Sequence, residues 1–326
     1  MMKILYTVCS ANHLAHAKTM ADSFAAYNQG YEVIIALVDK VNGRFDVNDF
    51  LPYRIIEVDT MGIKGFDEMA ARYTVIELNC AMKSFVAQYI FEHERPEILL
   101  YLDADIWVRH SLAVIEEGLQ SHDLLITPHF TMPMPDNTHK PHERDLLRSG
   151  VYNAGFMAFK RKSGVNNFLH WWEEHMRTEC HYNFAQGMGV DQVWLNLAPV
   201  LFAGTGIFSK KGANVAYWNL HERMLSIKDG QVMVNEMEPL LFLHVSGYNL
   251  AQPEILSRHQ NRYDLNDQPV LKELLNTYRN EVIANGYNKY IVMPCAFSKK
   301  VRKSSGLMRT VNVLLQPLGV KISGTQ

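Results

Sequence analysis

The run Ile98-Leu99-Leu100-Tyr101-Leu102 limits what this chain can fold into more than any other five residues. It has no charged side chain to place on a wet face, so it reads as a strand buried on both sides. Such a strand requires a sheet with helices packed on both faces. The run ends directly in Asp103-Ala104-Asp105. In an open α/β sheet, ligands bind outside the carboxyl ends of the strands. Two carboxylates at that edge repel each other unless a cation or protons lie between them. A hard divalent ion is the natural occupant. Read alone, the motif is equally a polar turn, with Asp105 capping a helix that starts near Ser111.

The rest of the chain supports the same class of fold. Lys3–Val8, Glu32–Val38 and Tyr53–Val58 carry strand patterns, with a helix over His13–Tyr27 and one or two helices over Ala70–Glu92. Alternation of this kind implies a mostly parallel sheet with flanking helices. Further on, Leu112–Leu119 reads as helix, Asp123–Thr127 as strand, Gly155–Phe159 as strand, Val165–Arg177 and Val190–Leu197 as helices, Leu240–Val245 as strand, and Val270–Ala284 as helix. The segment from Pro128 to Pro141 contains four prolines and reads as a loop, either a lid or a plain surface excursion.

Composition narrows the function classes. A net charge of −2 gives no support for a nucleic-acid partner. The four cysteines are far apart with no C-x-x-C pair, which argues against a zinc site or a disulfide framework. The N-terminal apolar run passes into Ser10-Ala11-Asn12-His13 and reads as a first strand rather than a signal peptide. We therefore place the protein in the cytoplasm. From Val282 to the end there are seven Lys or Arg residues and no acid, interleaved with apolar residues. We divide the chain into a single domain over 1–285 and a basic amphipathic extension over 286–326. Residues 296–326 suit peripheral contact with the inner face of an anionic membrane. The plainer alternative is a solvated basic face docked on its own domain.

Three further motifs carry chemistry. Asn153-Ala154-Gly155 precedes a buried strand, where an amide can bond sugar hydroxyls and a glycine allows close backbone approach. Asp191-Gln192 follows Gly189-Val190 at a helix start; Asp191 is either an N-cap or a cleft residue. His244 ends an apolar strand three residues before Gly247, as a third metal ligand or a core histidine.

In this order the four motifs resemble the family-8 glycosyltransferases, which have the GT-A fold, a Rossmann-like architecture for nucleotide-sugar transfer. The resemblance covers residues 3 to 250. A finer likeness, to glycosyltransferases of bacterial polysaccharide biosynthesis loci, lies in Asn214–Arg223 and Ser257–Tyr263, for which the sequence gives no role. The resemblance implies that Asp103, Asp105 and His244 hold manganese or magnesium. A mixed oxygen and imidazole set favours manganese over calcium. It implies donor contacts from Thr7, Lys83, Asp103, Ala104, Asn153, Ala154, Gly155 and Gly247. Asp191 would hold donor-sugar hydroxyls, and Gln192 would sit near the anomeric carbon; these two form the expected catalytic pair. The implied reaction moves a hexose from a UDP-sugar to a glycan or lipid-linked acceptor with retention. The family often has a diphosphate-binding lysine where this chain has Leu250, which leaves Arg258, His259 or Arg262 to supply the charge. Two other readings are a phosphatase of the haloacid dehalogenase type and a non-catalytic carbohydrate-binding relative. Ile106-Trp107 stands where such a phosphatase has Gly-Thr, which disfavours the first.

Overall fold

The computed structural model describes residues 2–297. Its strands, in chain order, are β1 (Lys3–Cys9), β2 (Tyr31–Leu37), β3 (Arg54–Glu57), β4 (Ile98–Leu102), β5 (Ile106–Val108), β6 (Leu124–Pro128), β7 (Tyr152–Lys160), β8 (Tyr182–Asn183), β9 (Met188–Gly189), β10 (Thr205–Ile207), β11 (Leu225–Lys228), β12 (Gln231–Val234), β13 (Glu238–Pro239) and β14 (Phe242–His244). Seven of them form the central sheet in the order β10-β6-β7-β4-β1-β2-β3. Neighbours pair in parallel except β7, which runs against both β4 and β6. The expected α/β class with a mostly parallel sheet is therefore the observed one.

The helices are α1 (Leu14–Tyr27), α2 (Phe66–Arg72), α3 (Val75–His93), α4 (Ala113–Ser121), α5 (Glu143–Ser149), α6 (Ser163–Thr178), α7 (Ala198–Leu201), α8 (Pro269–Ala284) and α9 (Tyr287–Tyr290). Alternate side chains of β1 divide between two cores. Leu5 and Cys9 join the core with α1, α4 and α8, while Ile4, Tyr6 and Val8 join the core with α2, α3 and α6. All five residues of β4 are buried, as a strand covered on both faces requires. The stretch 70–92 is two helices because Thr74 starts the second with a capping box: its hydroxyl accepts from Glu77 N, and Glu77 accepts from Thr74 N at 2.8 Å.

Asp105 caps no helix, because β5 follows it and pairs antiparallel with β14 in a separate two-stranded sheet. The loop from 128 to 141 is followed by α5, which its proline-rich context masks in the sequence. Packing continues past residue 286. Tyr290 lies in the core against Phe45 and Phe50, Phe297 packs on Phe66, and Ala296 N donates to Asp39 at 2.9 Å. The rest of the basic extension, from residue 298, lies outside the described residues. Among the described residues, no helix is long and apolar enough to cross a membrane.

Candidate active site

The Asp103–Asp105 turn is clamped from both sides by backbone. Asp103 N donates to Gly155 O on β7, and Val245 N donates to Asp105 O, each at 2.9 Å. This places both carboxylates beside the His244 ring at the end of β14. His244 Nε2 lies 3.2 Å from Asp105 Oδ1 and 3.8 Å from Asp103 Oδ2. One ligand atom from each residue falls within 4.8 Å of the others.

The far side of the ring determines which nitrogen faces the carboxylates. His244 Nδ1 lies 3.1 Å from both Asn153 Oδ1 and Asn214 Oδ1. With the two amides in this orientation, Nδ1 carries the proton and Nε2 presents its lone pair to the aspartates. Two carboxylates and an imidazole so fixed suit manganese or magnesium. With the aspartates facing it, the ring also gains a proton readily. Burial opposes its protonation, but Asp105 outweighs burial and raises the pKa of His244. Burial likewise opposes ionisation of Asp105, yet the His244 charge and hydrogen bond hold its carboxyl well below the usual range.

Gly155 has a steric role here. A Cβ at this position would lie 2.3 Å from His244 Cε1 and 2.8 Å from Asn153 Oδ1. The ring can lie across β7 only because that side chain is missing.

A second cluster lies behind Asp103, Asp105 and His244. Lys83 on α3 is buried, with Nζ 3.0 Å from Asp103 Oδ1, 3.0 Å from Asp191 Oδ2 and 3.1 Å from Ala154 O. Its Nζ also sits 4.9 Å from the centre of the Tyr101 ring, and the Tyr101 hydroxyl donates to Asp103. Burial favours a neutral lysine, but Asp103 and Asp191 outweigh it and raise its pKa. Asp191 is itself sealed; burial raises its pKa and Lys83 opposes the rise. It stands at the N-cap position of the 3-10 turn Gln192–Leu197, but its side chain makes no capping hydrogen bond and is buried against Lys83 instead. Gln192 is also held. Its Oε1 accepts from Asn153 Nδ2 at 3.1 Å and from Ala154 N at 3.2 Å, and its Nε2 donates to Ser149 O at 3.0 Å.

The structure thus brings Lys83, Asp103, Ala104, Asp105, Asn153, Ala154, Gly155, Asp191, Gln192 and His244 to one edge of the sheet. Thr7 does not open onto this edge; it is fully buried, and its hydroxyl has no hydrogen-bond partner. Gly247 has φ +72°, and a Cβ there would strike His259 and Ser257, so it packs against the 257–259 segment. Arg262 is committed elsewhere. It pairs with Asp136 at 2.5 Å and donates to the carbonyls of Asp136, His139 and Pro141. With Glu222 accepting from Thr131 N at 3.0 Å, this pins the proline-rich loop, so it does not have the form of a free lid. Leu250 is buried. Arg258 is exposed, and its charge reaches His13 and Tyr217.

The stretch Asn214–Arg223 gains a structural role. Asn214 orients His244, Trp218 packs edge-on against its ring at 5.1 Å, and Asn219 donates to Asn214 O at 2.9 Å. The sequence signal was a run rich in amides and aromatics, but nothing in it pointed to a histidine 30 residues later.

No family model matches the chain. The chain is 30% identical over 203 residues to the uncharacterized protein YfnF of Bacillus subtilis (strain 168), covering 59% of this chain and 63% of YfnF. It is 21% identical over 251 residues to the uncharacterized protein YfnD of the same organism, covering 75% of this chain and 78% of YfnD. Among solved structures, the bifunctional glycosyltransferase WbbM in its apo form superposes with a TM-score of 0.50 at 12% identity, over 87% of this chain and 51% of WbbM. At that identity the likeness is one of fold, and the chain has the GT-A fold.

Proposed function

We propose that the chain is a metal-dependent glycosyltransferase that moves a hexose from a UDP-sugar to a glycan or lipid-linked acceptor. The observation that carries this reading is the convergence of Asp103, Asp105 and His244 Nε2, with the ring turned by Asn153 and Asn214. Asp103, Asp105 and His244 would hold manganese, which would supply Lewis-acid neutralisation of charge on a departing nucleotide diphosphate. Arg258 adds positive charge in place of the lysine that Leu250 replaces. Lys83 pairs with Asp103 and fixes the Ala154 carbonyl, so its role is positioning. Asn153 and the 153–155 backbone border the donor sugar.

Asp191 and Gln192 are not set up as nucleophiles. The first is sealed against Lys83, and the carbonyl oxygen of the second already accepts two hydrogen bonds. This supports attack by the acceptor hydroxyl on the face the diphosphate leaves, with retention of configuration. Thermal melting and donor hydrolysis with a panel of sugar nucleotides, with and without manganese, test the reading. A bound donor at a hundredfold excess over Kd adds about 2.7 kcal/mol of apparent stability. The expected result is a manganese-dependent rise with a UDP-sugar. A shift that survives chelation, or hydrolysis of simple phosphate esters instead, overturns it.

A further inference from the structure

The Asn153 side chain has no hydrogen-bonding capacity left for a sugar. An amide accepts two bonds at Oδ1 and donates two from Nδ2, and Asn153 makes all four within the chain. Oδ1 accepts from Gly155 N at 3.2 Å and lies 3.1 Å from His244 Nδ1. Nδ2 donates to Gln192 Oε1 at 3.1 Å and lies 3.4 Å from His129 Nε2. The amide cannot turn over. A backbone N–H only donates, so Gly155 requires the oxygen of Asn153 on its side. Gln192 obeys the same rule. Ala154 N requires its Oε1 and the Ser149 carbonyl requires its Nε2, which again makes Asn153 Nδ2 the donor. Asn214 has no such anchor, because its own Nδ2 is buried without a hydrogen-bond partner.

His129 completes the chain of bonds. It follows β6 directly, and the pairing of β6 with β7 sets it opposite Val151. The Val151 carbonyl accepts from His129 N at 3.1 Å and lies 3.0 Å from His129 Nδ1. A carbonyl only accepts, so Nδ1 holds the proton of this ring. Burial pushes the His129 pKa down to about 4 against the Val151 bond, so the ring is neutral and Nε2 keeps a lone pair for Asn153. The Trp218 indole stands edge-on to both imidazoles, 5.2 Å from His129 and 5.1 Å from His244. Asn219 Nδ2 donates to the His129 carbonyl at 2.8 Å and to the Asn214 carbonyl at 2.9 Å. The two rings are thus packed as one unit and joined through one amide.

We infer that His129 is a positioning residue for the ion site: acting through Asn153, it fixes the proton of His244 on Nδ1 and so turns the Nε2 lone pair toward Asp103 and Asp105. The Asn153 side chain then serves His244 and not a donor-sugar hydroxyl. The inference rests on the ion site of the glycosyltransferase reading and requires nothing of the sugar or the acceptor.

The test uses the full chain and manganese alone, with no sugar nucleotide present, so that loss of a sugar contact is silent. Affinity is read by electron paramagnetic resonance, and the His129 ring nitrogens by nitrogen NMR of the metal-free chain. Wild-type His129 is expected to show its proton on Nδ1. His129→Leu fills the buried space but cannot accept from Asn153, and both it and Asn153→Ala are expected to weaken manganese binding about tenfold. His129→Gln keeps an acceptor facing Asn153 and is expected to bind manganese nearly as the wild type does. Wild-type affinity in His129→Leu or Asn153→Ala overturns the inference. Equal losses in the Leu and Gln variants also overturn it, because they mark a packing role only. A His129 proton on Nε2 overturns it as well, and this wild-type spectrum decides even where the leucine variant does not fold. A wild type that binds no manganese removes the ion site itself and the metal-dependent reading with it, whereas the other adverse outcomes leave that site standing.

Discussion

Gly155→Ala tests whether the imidazole position depends on a missing side chain. The added methyl would lie 2.3 Å from His244 Cε1, against an ordinary carbon–carbon contact of about 3.5–4.0 Å. The ring must therefore retreat by about 1.5 Å. It cannot do so freely, because Trp218 packs on it edge-on and two asparagines hold Nδ1. Overpacking of this kind costs about 1–3 kcal/mol. A 1.5 Å retreat also removes Nε2 from reach of an ion that the two aspartates hold. Disturbing the support of a metal ligand lowers metal affinity about 10- to 100-fold. The assay is manganese titration by electron paramagnetic resonance, with melting curves recorded with and without the ion. A variant that keeps both wild-type manganese affinity and the wild-type melting temperature refutes the steric argument.

Three other perturbations have definite expected outcomes. Lys83→Met leaves Asp191 buried without its cation and should cost about 3–5 kcal/mol; adding Asp191→Asn should recover part of that loss in a denaturant-melt cycle, and single and double variants of equal stability would contradict the pairing. Asp105→Asn should abolish the melting shift that manganese gives, and a retained shift would remove Asp105 from the ligand set. Glu173 has its pKa pushed up to about 7 by burial, with Arg177 opposing. Its folded-state pKa exceeds the unfolded one, so the folded chain holds the proton longer and stability falls as pH rises from about 4.3 to 7. Glu173→Gln should therefore gain up to roughly 2 kcal/mol at pH 8 and little at pH 5; an equal gain at both pH values would rule out ionisation as its cause.

The sequence reveals the sheet and half of the site, for reasons that particular residues make plain. Ile98–Leu102 is uniformly apolar and ends in two acids, so both its burial and its place at the sheet edge follow from pattern alone. β5 is only three residues long, and from sequence a short apolar piece after a turn reads as the approach to a helix. Its partner β14 is equally short, so the pairing that brings His244 to the aspartates is a tertiary fact. Asn214 is further hidden: it has φ 55° and acts across 30 residues. The motif at Asp191 marks an important position, but its chemistry depends on Lys83 from another helix, which spacing does not show. For Arg262, the sequence gives a charge without revealing that Asp136 has already taken it.

The reversed direction of β7 has a consequence for how this chain tolerates change. β6 leaves the sheet at the functional edge, and β7, running the other way, enters at the same edge. Everything between the His129–Val151 pair, residues 130–150 with α5, therefore hangs from that edge as one excursion. Lengthening or replacing it re-threads no strand and leaves the Asp103–Asp105 turn, which belongs to β4, in place. Relatives could thus exchange this excursion wholesale, and with it whatever α5 meets, while keeping Asp103, Asp105 and His244 in place.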